Sequence, residues 1–166
     1  GWARLADDPK ALARLPTVAP GATEELDLHL SLETRLAEAT AGETLTHGDL
    51  YPFNVLLTPD RVVVVDWPHA WIGPAHADLV MLLSSVALSG IDPEPFAVRH
   101  PLLTGVEPEA VDVLISAQAG FLLAIACSVD STADPRLVRM MTELGRSSLR
   151  WLSTRTRSSG RSKSKG

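Results

Sequence analysis

The chain has almost no lysine. Of its 15 basic residues only Lys10, Lys163 and Lys165 are lysines, the first in a helix-like context and the others in a polar terminal stretch. None sits in a strand pattern. The 11 glycines never fall as G-x-G, so no phosphate-cradling loop is visible. The single cysteine, Cys127, excludes an intrachain disulfide; inside the apolar run Phe121 to Cys127 it reads as an inert buried thiol. That usage fits a reducing, cytoplasmic setting, and no signal peptide is seen. His69 and His76 flank the stretch after Asp66 without the tight ligand cluster zinc needs. Only Val113 to Val129 is an uncharged run long enough to suggest a membrane span. Ser116, Gln118, Gly120 and Ser128 dilute it, so it predicts a buried core helix and no membrane partner. No internal repeat is present.

The net charge of −5 hides an asymmetry. Residues 153–166 carry Arg155, Arg157, Arg161, Lys163 and Lys165 and no acid. The remaining body holds ten basic against twenty acidic residues, a balance that repels nucleic acid. Residues 1–152 are expected to form one lobe. The basic, Ser-rich segment 153–166 reads as a disordered, solvated tail.

Against these absences stands one dense motif. His47 to Asn54 reads His-Gly-Asp-Leu-Tyr-Pro-Phe-Asn, and Asp66 closes a run of four valines twelve residues later. The protein-kinase catalytic loop, H-x-D-L-x-x-x-N followed by a strand ending in a metal-binding Asp, has the same spacing. The residue types suit that chemistry. Asp49 could accept the proton of an attacking hydroxyl. Asn54 and Asp66 supply the hard oxygens that Mg²⁺ prefers. His47 is expected to hydrogen-bond local backbone rather than carry protons. The competing reading is that Asp49 and Asn54 only make a turn near Pro52. Context favours the first: Val55-Leu56-Leu57 and Val62 to Val65, joined by Thr58-Pro59-Asp60-Arg61, predict a hairpin on a type I turn. Antiparallel pairing would bring Asn54, at its entrance, close to Asp66, at its exit.

With Trp67, Gly73 and the Asp78-Leu79 pair, these residues make the chain resemble the aminoglycoside phosphotransferase family, a choline-kinase-like branch of the kinase fold. The resemblance covers Leu45 to about Leu83 closely and the flanking helices more loosely. It implies an α+β, mostly helical C-terminal lobe of a protein-kinase-like fold, with the small hairpin carrying the catalytic and metal loops. It further implies ATP and Mg²⁺ as cofactors and a small-molecule hydroxyl as acceptor. Asp49 would be the catalytic base, Asn54 and Asp66 the metal ligands that also engage nucleotide, and Asp78 a structural acid tying the catalytic loop to the next helix. Two departures stand out. Gly48 replaces the Arg of many protein kinases, and Trp67-Pro68 replaces Phe-Gly, which argues against a flipping switch after Asp66. The N-terminal lobe of such a kinase, with its glycine loop and strand lysine, is missing from this chain, which is expected to be inactive alone. Two other readings use the same residues: a remnant that binds a ligand or partner without turnover, and a metal-dependent hydrolase on His47, Asp49 and Asp66.

Elsewhere, helices are expected over Trp2 to Leu15, closed by Pro16, and from a Thr23 cap to about Ala39, with His29 on or near the surface. Trp67 to Ala75 reads as irregular, with Trp67 and Trp71 either lining a pocket or packing in the core. Further helices are expected over Leu79 to Leu88 with Asp78 near their start, from Pro108 to about Val129, and from Asp134-Pro135 to about Leu152. In the Pro-rich link between Ile91 and Pro108, Asp92 and Glu94 could reach an acceptor only if the link folds toward Asp49.

Overall fold

The computed structural model describes residues 1–128 and 134–163, with side chains as far as Arg157. The molecule is mostly helical, with two small two-stranded sheets. Helices α1 (Trp2–Ala6), α2 (Pro9–Val18), α3 (Leu26–Glu33) and α4 (Leu36–Ala39) come first. Strands β1 (Thr44–Thr46), β2 (Val55–Leu57), β3 (Val62–Val64) and β4 (Trp71–Gly73) follow, and then α5 (Ala77–Leu88), α6 (Glu94–Arg99), α7 (Pro108–Ser128) and α8 (Pro135–Lys163).

Helix α7 is the axis. Ile115, Ala119, Leu123 and Cys127 are sealed from solvent, and α7 packs against α1, α2, α3, α4, α5 and α8. It is long and apolar enough to cross a membrane, but here most of its apolar surface is covered by these helices. At Gly120 the indole of Trp2 lies so close that a β-carbon would overlap it. The indole N–H donates to Ser116 O at 2.8 Å, which anchors α1 to the middle of α7.

The first expected helix is two. Asp8 accepts from the backbone N–H groups of Lys10 and Ala11 at 2.9 and 3.2 Å, and Pro9 opens α2. The break therefore falls at Asp7-Asp8. Pro16 lies inside α2, where it forfeits one helical bond just before the helix ends. The second expected helix also divides: it starts at Leu26 rather than at a Thr23 cap and breaks at Thr34, whose hydroxyl donates to Ser31 O at 2.7 Å.

His29 is fully buried, not a surface residue. Its ring stacks on Trp2 with centroids 4.2 Å apart, and Nδ1 lies 3.0 Å from Ser116 Oγ. Nε2 has no hydrogen-bond partner, and the nearest acid, Glu25, stands 3.9 Å away. Burial pushes the His29 pKa down to about 4. The unfolded chain, at about 6.5, then binds a proton that the folded chain refuses. Stability should accordingly be complete above pH 6.5 and fall as pH drops toward 4, by up to about 3 kcal/mol. Urea melts at pH 7.5 and 4.5 check this, and in His29→Gln the His29-dependent part of the pH slope should vanish.

The segment after Leu152 corrects another expectation. Residues 153–163 continue α8, while 164–166 and the expected end of α7 at Val129 lie outside the described residues. Arg155 is one reason the helix persists. Its Nε donates to Asp112 at 2.6 Å, and Nη1 donates to both oxygens of Glu94 at 2.7 and 2.8 Å. Glu94 also accepts from Trp151 Nε1 at 2.9 Å. Glu94 is thus spent in a partly buried cluster joining α6, α7 and α8, which removes it as an acceptor contact.

Candidate active site

The β2–β3 hairpin pairs Val55 with Val64, Leu56 with Val63 and Leu57 with Val62. At its open end Val65 N–H donates to Asn54 O at 3.0 Å, so the chain leaves β3 directly beside Asn54. Asp66 comes next, solvent-exposed and with φ 66°, a left-handed backbone unusual outside glycine.

Asn54 is buried and turned toward the loop. Its Nδ2 donates to Asp49 O at 2.8 Å and to Asp49 Oδ2 at 3.1 Å. Two acceptors facing one end of the amide leave only the NH₂ there, so Oδ1 points away from Asp49. The half-buried Asp49 keeps Oδ1 free of any described hydrogen bond.

His47 is nearly sealed and uses both ring nitrogens. Nε2 donates to Val65 O at 2.9 Å, while Nδ1 accepts from Asp49 N–H at 3.2 Å. Those partners specify the neutral Nε2–H tautomer. The ring therefore clips the Asp49 loop to the strand that leads to Asp66. Trp67 covers it edge-on at 4.7 Å and is half-exposed, so Trp67 shields the loop rather than filling the core.

Asp78 binds the loop from the other side. Its Oδ2 accepts from His47 N–H at 2.6 Å and its Oδ1 from Gly48 N–H at 2.9 Å. It is the second residue of α5, and His76, not Asp78, precedes the helix. The carboxylate serves the loop instead of capping its own helix.

Sequence reading missed the second sheet. Within the stretch expected to be irregular, β4 pairs antiparallel with β1, with Thr46 opposite Trp71, and Thr46 Oγ1 donates to Trp71 O at 3.0 Å. This brings Trp71 and the His69 carbonyl against Gly48. With φ +76°, Gly48 adopts a backbone that disfavours side chains, and a β-carbon would overlap the His69 carbonyl. The Arg of many protein kinases therefore has no room here. Gly48→Ala should cost about 1–3 kcal/mol for backbone strain alone, more if His69 must move, measured by urea denaturation.

Asp49, Trp71 and Tyr51 open onto a cleft of about 540 Å³ between the loop and helices α5, α7 and α8. Tyr51, buried, accepts from Gln118 Nε2 at 2.9 Å, and Gln118 Oε1 lies 2.9 Å from the Ser84 hydroxyl. Burial first, with the Asp49 charge adding to it, pushes the Tyr51 phenol up to about 12. Neither Tyr51 nor Gln118 carried a sequence signal. Both look like ordinary loop and helix residues until α7 places one against the other.

The hydrogen-bonded loop and the hairpin are held on a helical scaffold. The model of the phosphotransferase enzyme family matches residues 2–111, and the chain belongs to that family. It is also similar to a LicA homolog of Mycoplasma capricolum subsp. capricolum, 31% identical over 62 residues that make up 37% of this chain. The match spans about a quarter of that relative's length, 26%. No solved structure matches.

Proposed function

We propose that this chain carries the catalytic lobe of an ATP-dependent phosphotransferase that moves the γ-phosphoryl group to a hydroxyl of a small molecule. The observation that carries the proposal is the contact between Asn54 Nδ2 and Asp49, formed where β3 delivers Asp66. It leaves one carboxylate oxygen of Asp49 free to accept the hydroxyl proton. It also leaves an amide oxygen and an exposed carboxylate for a hard cation, the donor set Mg²⁺ favours. Asn54 and Asp66 would hold that Mg²⁺, which when bound neutralises charge on the nucleotide phosphates. His47 and Asp78 act by holding the loop, not by moving protons.

An N-terminal lobe supplied by the rest of the protein would close the nucleotide site. The apolar side chains left to water on the hairpin, with Leu56 at 50%, Leu57 at 79% and Val62 at 63% exposure, suit such a cover. The lone buried Cys127 suits a reducing, cytoplasmic setting.

Isothermal titration of Mg·ATP tests the proposal. Binding should depend on Mg²⁺, and Asp66→Ala should weaken it by about 100-fold or more, given that even groups outside the ligand set command 10–100-fold. An unaltered titration curve would remove Asp66 from the metal site. A second reading, ligand binding without turnover, uses the same residues. Nucleotide binding with no phosphorylated product from the complete protein would select it. Metal bound with no affinity for nucleotide would select the hydrolase.

A further inference from the structure

The cleft beside Asp49 is unlike a site for a polycation. All three methionines of the chain, Met81, Met140 and Met141, line it, together with Phe121, Leu137 and Trp71. Phe121, Leu137 and Met140 are 58%, 44% and 37% exposed, which leaves large apolar groups in water at its mouth. Its titratable lining groups are Asp49, Tyr51, His69 and Asp78, and none of them but the two acids carries a charge a cation could pair with. Both oxygens of Asp78 are taken by the backbone of His47 and Gly48, so one carboxylate remains for a ligand. A sugar bearing several ammonium groups would leave most of them unpaired against methionine and leucine, which is costly.

Tyr51 and Asp49 line the same cleft, near enough for the Asp49 charge to act on the phenol. The Tyr51 oxygen already accepts from Gln118, so its own proton is available to a further acceptor. Asp49 accepts. A ligand hydroxyl can take the phenol's hydrogen bond while giving its own proton to Asp49.

We propose that this cleft binds an uncharged alcohol with an apolar body, its hydroxyl held between Tyr51 and Asp49 and its body among the methionines. The inference rests on the phosphotransfer reading for the role of the bound hydroxyl, but binding alone tests it. The volume is in the range of small-ligand sites. Flexible thioether side chains adapt to the shape of such a body.

The test is calorimetric titration of the full chain with 1-hexanol, 1-octanol and 1-decanol, with choline and kanamycin as competitors. Affinity should rise about fourfold per added methylene. Neither choline nor kanamycin should displace 1-octanol. Tyr51→Phe should weaken 1-octanol about fivefold through one lost hydrogen bond. Met140→Asp, on a half-exposed helix face that tolerates an acid, should weaken it about tenfold or more. No saturable alcohol binding, displacement by choline or kanamycin, or unchanged affinity in both variants would overturn the inference. Alcohol binding that never leads to phosphorylated alcohol with the complete protein and Mg·ATP would uphold the cleft assignment and defeat the phosphotransfer reading alone.

Discussion

Replacing Asp49 by Ala is expected to lower kcat of the complete protein about 1,000-fold, within the range ascribed to a positioned general base. In the proposed reaction the substitution removes the carboxylate that would take the hydroxyl proton. It should spare the fold, because Asn54 keeps its bond to the Asp49 backbone oxygen at 2.8 Å and His47 keeps its bond from the Asp49 N–H. Asp49→Asn sharpens the comparison. It preserves shape but cannot accept a proton at a carboxylate, so it should be nearly as inactive. Steady-state rates beside thermal melts make the measurement. A variant that turns over normally would eliminate Asp49 as base, whereas one that fails to fold would show that the loop depends on its side chain.

The largest effect on stability should come from Arg155. Its guanidinium is only 10% exposed and holds two acids, Asp112 at 15% and Glu94 at 32% exposure. Burial pushes Asp112 upward in pKa while Arg155 pulls it back. Arg155→Ala would leave both carboxylates in a poorly solvated site, at a cost of about 3–5 kcal/mol for a broken buried pair. For a chain of this size that is a fall in Tm of roughly 10 °C. Arg155→Lys should recover only part, because one ammonium cannot reproduce a guanidinium that bonds Glu94 and Asp112 at once. Ending the chain at Leu152 should cost as much as Arg155→Ala. A tail without structural role would be removable with no change in Tm, which makes the truncation a direct discriminator.

The contrast between these two sites shows where sequence is readable. The His47–Asn54 loop and its hairpin are local. Asn54, the turn at Thr58 to Arg61 and the valine run lie within about a dozen residues, and antiparallel pairing brings the two ends together. The long apolar helix from Pro108 and the capped start at Pro135 are equally local, since Asp134 accepts from Arg136 N–H at 2.8 Å. The errors lie where the partner is remote. β4 is three residues ending in glycine, too short for a period to show, and its partner β1 lies about 25 residues earlier. A histidine in this stretch reads as a surface residue because its partners, Trp2 and Ser116, sit 27 and 87 residues away. Arg155 belonged to a composition typical of disorder until Glu94 and Asp112 met it from two other helices.

Composition, spacing and short-range turn chemistry by themselves determined that the chain is helix-rich and places Asp49, Asn54 and Asp66 around one hairpin. These features depend on backbone rules that operate within a few turns of chain. Packing alone decided that Asp78 grips the loop, that Tyr51 meets Gln118, and that three methionines from two distant helices share a cleft with Asp49. Such contacts arise from burying the faces of α5, α7 and α8 against one another, a many-body outcome that no local segment of sequence encodes.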